Sequence, residues 1–201
     1  MEIVLATRNK KKIEEIRRML GGLPIEIHSL DTIQDCPEVT EDQSTFEGNA
    51  RKKAQAIAAC TGIAALADDS GLEVDALHGA PGIHSARYAG TKETNDALNN
   101  EKLLSAMKEI PDGQRGARFV CCLALAFPDR HVQMFFGSVS GVITREPRGT
   151  NAFGYDPIFI PEGYTKTFAE MSSMEKDSLS HRGKALLAFK KYLESGVVTQ
   201  V

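Results

Sequence analysis

Five small or branched apolar residues, Ile63 to Ala67, run unbroken into two adjacent aspartates in IAALADDSGLEVD (63–75). A strand with one wet face alternates polar and apolar residues, so an unbroken run predicts a strand covered on both faces. Such a strand needs helices above and below its sheet, which makes this an α/β chain. Asp68 and Asp69 are expected where that strand ends. Neighbouring carboxylates repel, and burying either one unpaired is costly. A bound cation would relieve both penalties, although Asp-Asp-Ser-Gly also makes an ordinary turn.

The rest of the chain supports the same class. EIVLAT (2–7) reads as a buried strand running into NKKKIEEIRRML, where Ile13, Ile16 and Leu20 share one helical face. IEIHS (25–29) alternates like a strand, and residues 31–43 read as an acidic loop. STFEGNARKKAQAIAAC then opens with a possible capping box, Ser44 with Glu47, and places Phe46, Ala50, Ala54 and Ile57 on one face. A Gly- and Pro-rich loop (78–90), a helix in NDALNNEKLLSAMKEI, and strands at 117–127 and 131–144 joined by a PDR hairpin follow. Residues 145–157 read as a loop, and a final helix has Ser180 as its N-cap. The sheet is expected to be mixed, with no domain boundary visible.

Charge is nearly balanced, 24 basic against 27 acidic residues, so no overall field favours a nucleic acid polymer or an acidic membrane. Any anionic ligand must be met by a local basic cluster. No apolar run approaches a membrane span, and the opening residues lack the pattern of a secretory signal. The four cysteines, Cys36, Cys60, Cys121 and Cys122, show no CxxC spacing and no histidine companion. That pattern disfavours zinc and fits a reducing cytoplasm.

Four stretches could carry chemistry. In TRNKKK (7–12) a strand turns directly into a helix, whose free N–H groups and positive dipole end suit phosphate. Thr7 and Asn9 add neutral donors, and Arg8, Lys10, Lys11 and Lys12 add charge; the plain alternative is a solvated first turn. Glu41, Asp42, Asp68 and Asp69 form an acidic set suited to a hard cation such as magnesium. GTNAFGYDPIF (149–159) brings Phe153, Gly154 and Tyr155 together as a base pocket would require, or as aromatics packed on the core. SHRGKA (180–185), with Lys176 upstream, sets His181 and Arg182 at a helix start, where cations gain nothing from the dipole. Walker A, GxGxxG, nucleophile-elbow and zincin patterns do not occur.

In this order the stretches LATRNKKK, Glu41 followed by TFEGNA, ALADDSGLEVDALHGAPGIHSARYAG, RGTNAFGYDPIF and EKDSLSHRGKAL resemble the inosine triphosphate pyrophosphatase family, across residues 5 to 187. The resemblance implies a two-lobed α/β fold with an elongated mixed sheet flanked by helices and a nucleotide cleft between the lobes. It also implies a homodimer, Mg2+ dependence, and cleavage of ITP, dITP or XTP to the monophosphate and pyrophosphate. Carried over by motif, Thr7, Arg8, Asn9, Lys10, Lys11 and Lys12 bind the triphosphate, and Ser70 contacts substrate. Glu41 and Asp69 hold the metal, with Asp69 also the proton acceptor. Phe153, Gly154, Tyr155, Asp156, Lys176, His181 and Arg182 match substrate-binding positions. Since neighbouring strand residues point to opposite faces, Asp69 is expected as the direct ligand, with Asp68 a second ligand or water holder. Arg8 stands where many relatives have glycine, and Asn151 and Ala152 where they often have Gly-Gly. A Maf-type pyrophosphatase with another base preference and a noncatalytic nucleotide-binding module are the alternatives.

Overall fold

The structure is a computed structural model that describes residues 1–33, 36–91, 94–151 and 153–196. Ala152 and two residues of the acidic loop therefore lie outside the described residues. The elements run β1 (Glu2–Leu5), α1 (Lys10–Leu20), β2 (Glu26–Ser29), α2 (Phe46–Thr61), β3 (Ala64–Val74), α3 (Asp96–Ala106), β4 (Gly116–Ala126), β5 (Val132–Ile143), β6 (Phe159–Pro161), α4 (Ser173–Leu179) and α5 (His181–Glu194).

Six strands form one sheet in the order β2-β1-β3-β4-β5-β6. β1 lies parallel to both β2 and β3, with Leu5 opposite Leu66, while β6 is antiparallel to β5. The sheet is mixed, as the sequence predicts. No described helix is long and apolar enough to cross a membrane.

The helices form where apolar spacing and caps agree. In α1 the Asn9 side chain accepts from the Lys12 backbone N–H, and Ile16 and Leu20 are buried. In α2 the expected face is buried at Phe46, Ala50, Ala54 and Ile57, and Gly62 ends the helix in the left-handed region. The cap itself differs from expectation. Thr45, not Ser44, accepts from the Gly48 N–H, and Glu47 pairs with Arg51 one turn on. Both hydroxyl residues precede the first turn, and Thr45 has the extended backbone of an N-cap.

β3 departs most from the sequence reading. It does not stop at the aspartates but continues through Asp68, Asp69, Ser70 and Gly71 to Val74. The pair is therefore held by ladder hydrogen bonds inside a strand, not in a turn. β6 and α4 lie in a stretch to which the sequence reading assigns no element, because three and seven residues are too few to display a period.

By packing, the chain divides into two units. One holds Met1–Asp69, Cys121–Gly137 and the chain from Arg182 onward; the other holds Ser70–Val120 and Ser138–His181. The first has a core of Ile3, Leu5, Ile16, Leu66, Leu123 and Phe189. The second is built on Leu72, Leu103, Met107, Phe119, Phe159 and Phe168, with Phe119 edge-on to Phe159 at 4.8 Å. Each fully buried aliphatic or aromatic side chain of this kind contributes roughly 1.5–3 kcal/mol.

One covalent link has no counterpart in the sequence reading. A disulfide joins Cys36 to Cys60, whose Cα atoms are 5.9 Å apart. The cysteine spacing that points to a reducing compartment contains no trace of this pairing, since the two residues sit in no recognised motif. Cys121 and Cys122 are buried thiols.

Candidate active site

In the first unit, two carboxylates adjacent in sequence are treated in opposite ways. Asp68 is essentially without exposure, and Asp69 keeps only a little. Asp68 Oδ2 accepts from Arg182 Nε at 2.8 Å, and its Oδ1 is paired with Lys12 Nζ. The Cys121 thiol also donates to Oδ2, at 3.3 Å. Burial alone would raise the Asp68 pKa, but Arg182 and Lys12 outweigh it and hold the carboxyl well below the usual range. Asp68 is thus held as an anion between two cations. That corrects its expected part as second ligand or water holder.

Asp69 faces the other way, as strand geometry requires. Its Oδ1 accepts from Lys53 Nζ at 3.2 Å, and the same ammonium reaches Glu41 Oε1 at 2.5 Å and the Asp68 carbonyl at 2.9 Å. Asp69 Oδ2 is buried and meets no hydrogen-bond donor among the described residues. Burial raises the Asp69 pKa, and Lys53 and Lys12 only partly oppose it. A buried carboxylate with a raised pKa and one open oxygen is what a general base or a ligand to a hard cation needs.

Lys53 is the functional candidate that sequence reasoning missed. With its side chain 12% exposed, it bridges the two predicted metal ligands, and Asp69 and Glu41 keep it charged against the desolvation that partial burial imposes. In sequence it sits within ARKKAQ, indistinguishable from a solvated helix face.

The basic turn is partly as expected. Asn9 and Thr7 organise it, with the Asn9 N–H donating to Thr7 Oγ1 at 3.2 Å and Asn9 capping α1. Arg8, Lys10 and Lys11 are exposed. No acidic residue lies in the first turn of α1, and the Lys12 ammonium there is paired with Asp68.

In the second unit, the predicted residues form a separate cluster. Lys176 and Asp156 make a buried ion pair at 2.6 Å, and the Lys176 ammonium lies 5.3 Å from the centre of the Phe153 ring. The Gly154 N–H donates to Asp96 Oδ2 at 2.8 Å, Asn100 donates to the Gly154 carbonyl at 2.9 Å, and the Tyr155 hydroxyl donates to the Ser85 carbonyl at 2.8 Å. Gly154 has φ +56, which favours glycine there. His181 stacks on Phe119 at 4.6 Å with an interplanar angle of 7°. The loop is pinned on both sides, so the half-buried Phe153 ring has a fixed place. Ser70, also half-buried, follows Asp69 in β3.

Arg182, expected as a substrate-binding residue, is engaged with carboxylates of the protein itself. Its Nε and Nη2 face Asp68, at 2.8 and 3.4 Å, and its Nη1 donates to Glu15 Oε2 at 2.5 Å. A guanidinium with carboxylates on all three nitrogens is a structural tie.

For a metal, Glu41 and Asp69 are the fitting pair. Their donors are hard oxygens, no thiol or imidazole joins them, and one buried oxygen is open, which suits magnesium. Among the described residues, three possible ligands within 4.8 Å of one another occur only at Glu2, Glu26 and His28, at the other end of β1 and β2.

The profile of the Ham1 family matches residues 3–192. The chain belongs to the Ham1 family. Among Ham1 relatives, a dITP/XTP pyrophosphatase of Syntrophobacter fumaroxidans is 52% identical over 189 residues, covering 94% of this chain and 80% of that protein. One from Geobacter sulfurreducens is 49% identical and covers 95% of this chain and 96% of its own length. The solved Ham1 structure from Coxiella burnetii superposes with a TM-score of 0.88 at 41% identity, covering 97% of this chain and 99% of that one. The α/β fold with its mixed sheet is thereby that of known Ham1 structures.

Proposed function

We propose that this Ham1 protein hydrolyses non-standard purine nucleoside triphosphates, ITP, dITP and XTP, to the monophosphate and pyrophosphate, and so cleanses the nucleotide pool. The observation that carries the reading is Asp69: buried, raised in pKa, open at Oδ2, and joined to Glu41 through Lys53. Relatives named dITP/XTP pyrophosphatase supply the substrate class.

In this reading Asp69 removes the proton from a water that attacks the α-phosphorus, and the bond to the β-phosphate's bridging oxygen breaks. Magnesium held by Glu41 and Asp69 would supply charge neutralisation at the reacting phosphate. Lys53 keeps the two carboxylates together and adds positive charge beside them. Arg8, Lys10, Lys11 and Lys12, with the N–H groups at the start of α1, take the negative charge of the leaving pyrophosphate. Phe153 stacks on the base, and Lys176, a donor only, serves the C6 oxygen of hypoxanthine or xanthine, where adenine would present another donor. A homodimer belongs to the same reading from the family resemblance, and a cytoplasmic setting from the cysteine pattern.

The test is an NTP panel with magnesium and released pyrophosphate as readout, run in 18O-labelled water. Label in the monophosphate, read by phosphorus NMR, is the expected result. Label in orthophosphate with nucleoside diphosphate accumulating would mean attack at the γ-phosphorus and defeat the proposal.

A further inference from the structure

The segment that carries Glu41 has no apolar anchor. From Cys36 to Thr45 no residue is buried. The segment lies along α2 through polar contacts: Lys53 with Glu41 at 2.5 Å, Lys52 with the Thr40 carbonyl at 2.9 Å and Asp42 at 2.8 Å, and Asn49 Oδ1 accepting from the Gln43 N–H at 3.0 Å. Exposed ion pairs of the Lys52–Asp42 kind hold a backbone only weakly. The covalent hold is the Cys36–Cys60 disulfide, which ties the start of the segment to the last turn of α2 and encloses Glu41, Asn49 and Lys53 in one ring. Cys60 is exposed, within reach of a thiol in solution.

We infer that the Cys36–Cys60 pair is a redox switch on metal binding: oxidised, it holds Glu41 beside Lys53 and Asp69; reduced, it lets the segment leave α2. The inference rests on the proposed metal role of Glu41. The reductant is a dithiol. Its thiolate attacks one sulfur, a mixed disulfide forms, and its second thiol displaces the remaining cysteine. Two electrons and two protons convert the bond to two thiols, and the dithiol leaves as its own disulfide. Disulfides in a reducing compartment are usually of this transient, sensing kind. Asp69 and Lys53 stay on β3 and α2 in both states, so reduction weakens the site without dismantling it.

The experiment compares oxidised protein, protein reduced with dithiothreitol, and Cys60→Ser. Maleimide labelling under native conditions counts the accessible thiols. Manganese(II) binding is followed by its paramagnetic resonance in the absence of substrate, and hydrogen exchange is read across residues 37–43. Reduction is expected to expose two further thiols, weaken manganese binding at least about fivefold, the low end of ordinary coupling, and speed exchange in that segment. Cys60→Ser should match the reduced protein and ignore dithiothreitol. Equal manganese affinity and equal exchange in oxidised and reduced protein would overturn the switch, as would two labelled thiols in protein exposed to a mild oxidant. Absence of ITP hydrolysis in both states, with the manganese and exchange differences intact, would refute the proposed reaction and leave the switch standing.

Discussion

Arg182 Nε meets Asp68 Oδ2 at 2.8 Å while its Nη1 meets Glu15 Oε2 at 2.5 Å, so the start of α5 fastens the middle of β3 to α1. Asp68 and Arg182 are buried and Glu15 is half-buried beside them, and each buried charge is tolerable only because its partner is present.

Asp68→Asn should therefore destabilise the protein by about 3–5 kcal/mol, the usual cost of stripping one partner from a buried ion pair. Urea denaturation followed by circular dichroism measures it. A change below about 1 kcal/mol would show that the tie is solvated and structurally idle.

Acid should act through the same residue. The Asp68 carboxyl is held well below the usual range in the folded protein, by Arg182 and Lys12 against the opposing effect of burial. The unfolded chain therefore binds the proton more readily, and acid favours unfolding. The stabilisation is complete above the ordinary carboxylate value of about 4 and is lost as pH falls through the lowered folded value. The stability gap between native protein and Asp68→Asn should thus be constant from pH 7 to pH 5 and close at lower pH. A gap that closes already near pH 6 would assign the effect to another group.

Asp69→Asn should leave the fold intact and cut turnover by roughly a hundredfold or more, as expected for a positioned acid–base group. Thermal melting checks the first part, and pyrophosphate release from ITP at saturating magnesium the second. Near-native turnover would remove Asp69 from the chemistry. Asp68 could not replace it, because its oxygens are already committed to Arg182 and Lys12.

Lys176→Met tests base recognition. It should lower kcat/KM for ITP and XTP far more than for ATP, shrinking the preference expected of the native protein. The ratio is the quantity to report, because loss of the ammonium also leaves the buried Asp156 without its 2.6 Å partner and lowers the amount of folded protein for every substrate alike. An unchanged ratio would place the discrimination elsewhere, with Phe153 then contributing stacking alone.

What could be read from the sequence follows from period and length. α1 and α2 were legible because Ile16 and Leu20, and Phe46, Ala50, Ala54 and Ile57, repeat at helical spacing. The course of β3 was not, since Asp-Asp-Ser-Gly carries the local chemistry of a turn and only pairing with distant strands makes it extended. Asp69 and Glu41 could be picked out as carboxylates, but their link through Lys53 is tertiary, and a lysine within a helix gives no local sign of its partners. The partners of Arg182 were hidden for the same reason. A cation at a helix start suggests an anionic ligand, and here the anions are Asp68 and Glu15, 114 and 167 positions away.

The placement of Asp68 and Asp69 within a continuous strand makes their separate duties a matter of counting. Successive side chains on β3 alternate between faces, so one inserted or deleted residue between Ala64 and Asp68 exchanges the two. The carboxylate meant to stay charged would turn toward Lys53 and Glu41, and the one with an open oxygen would be pressed against Arg182. Surface loops absorb such length changes readily; this stretch is a frame that admits no shift in phase.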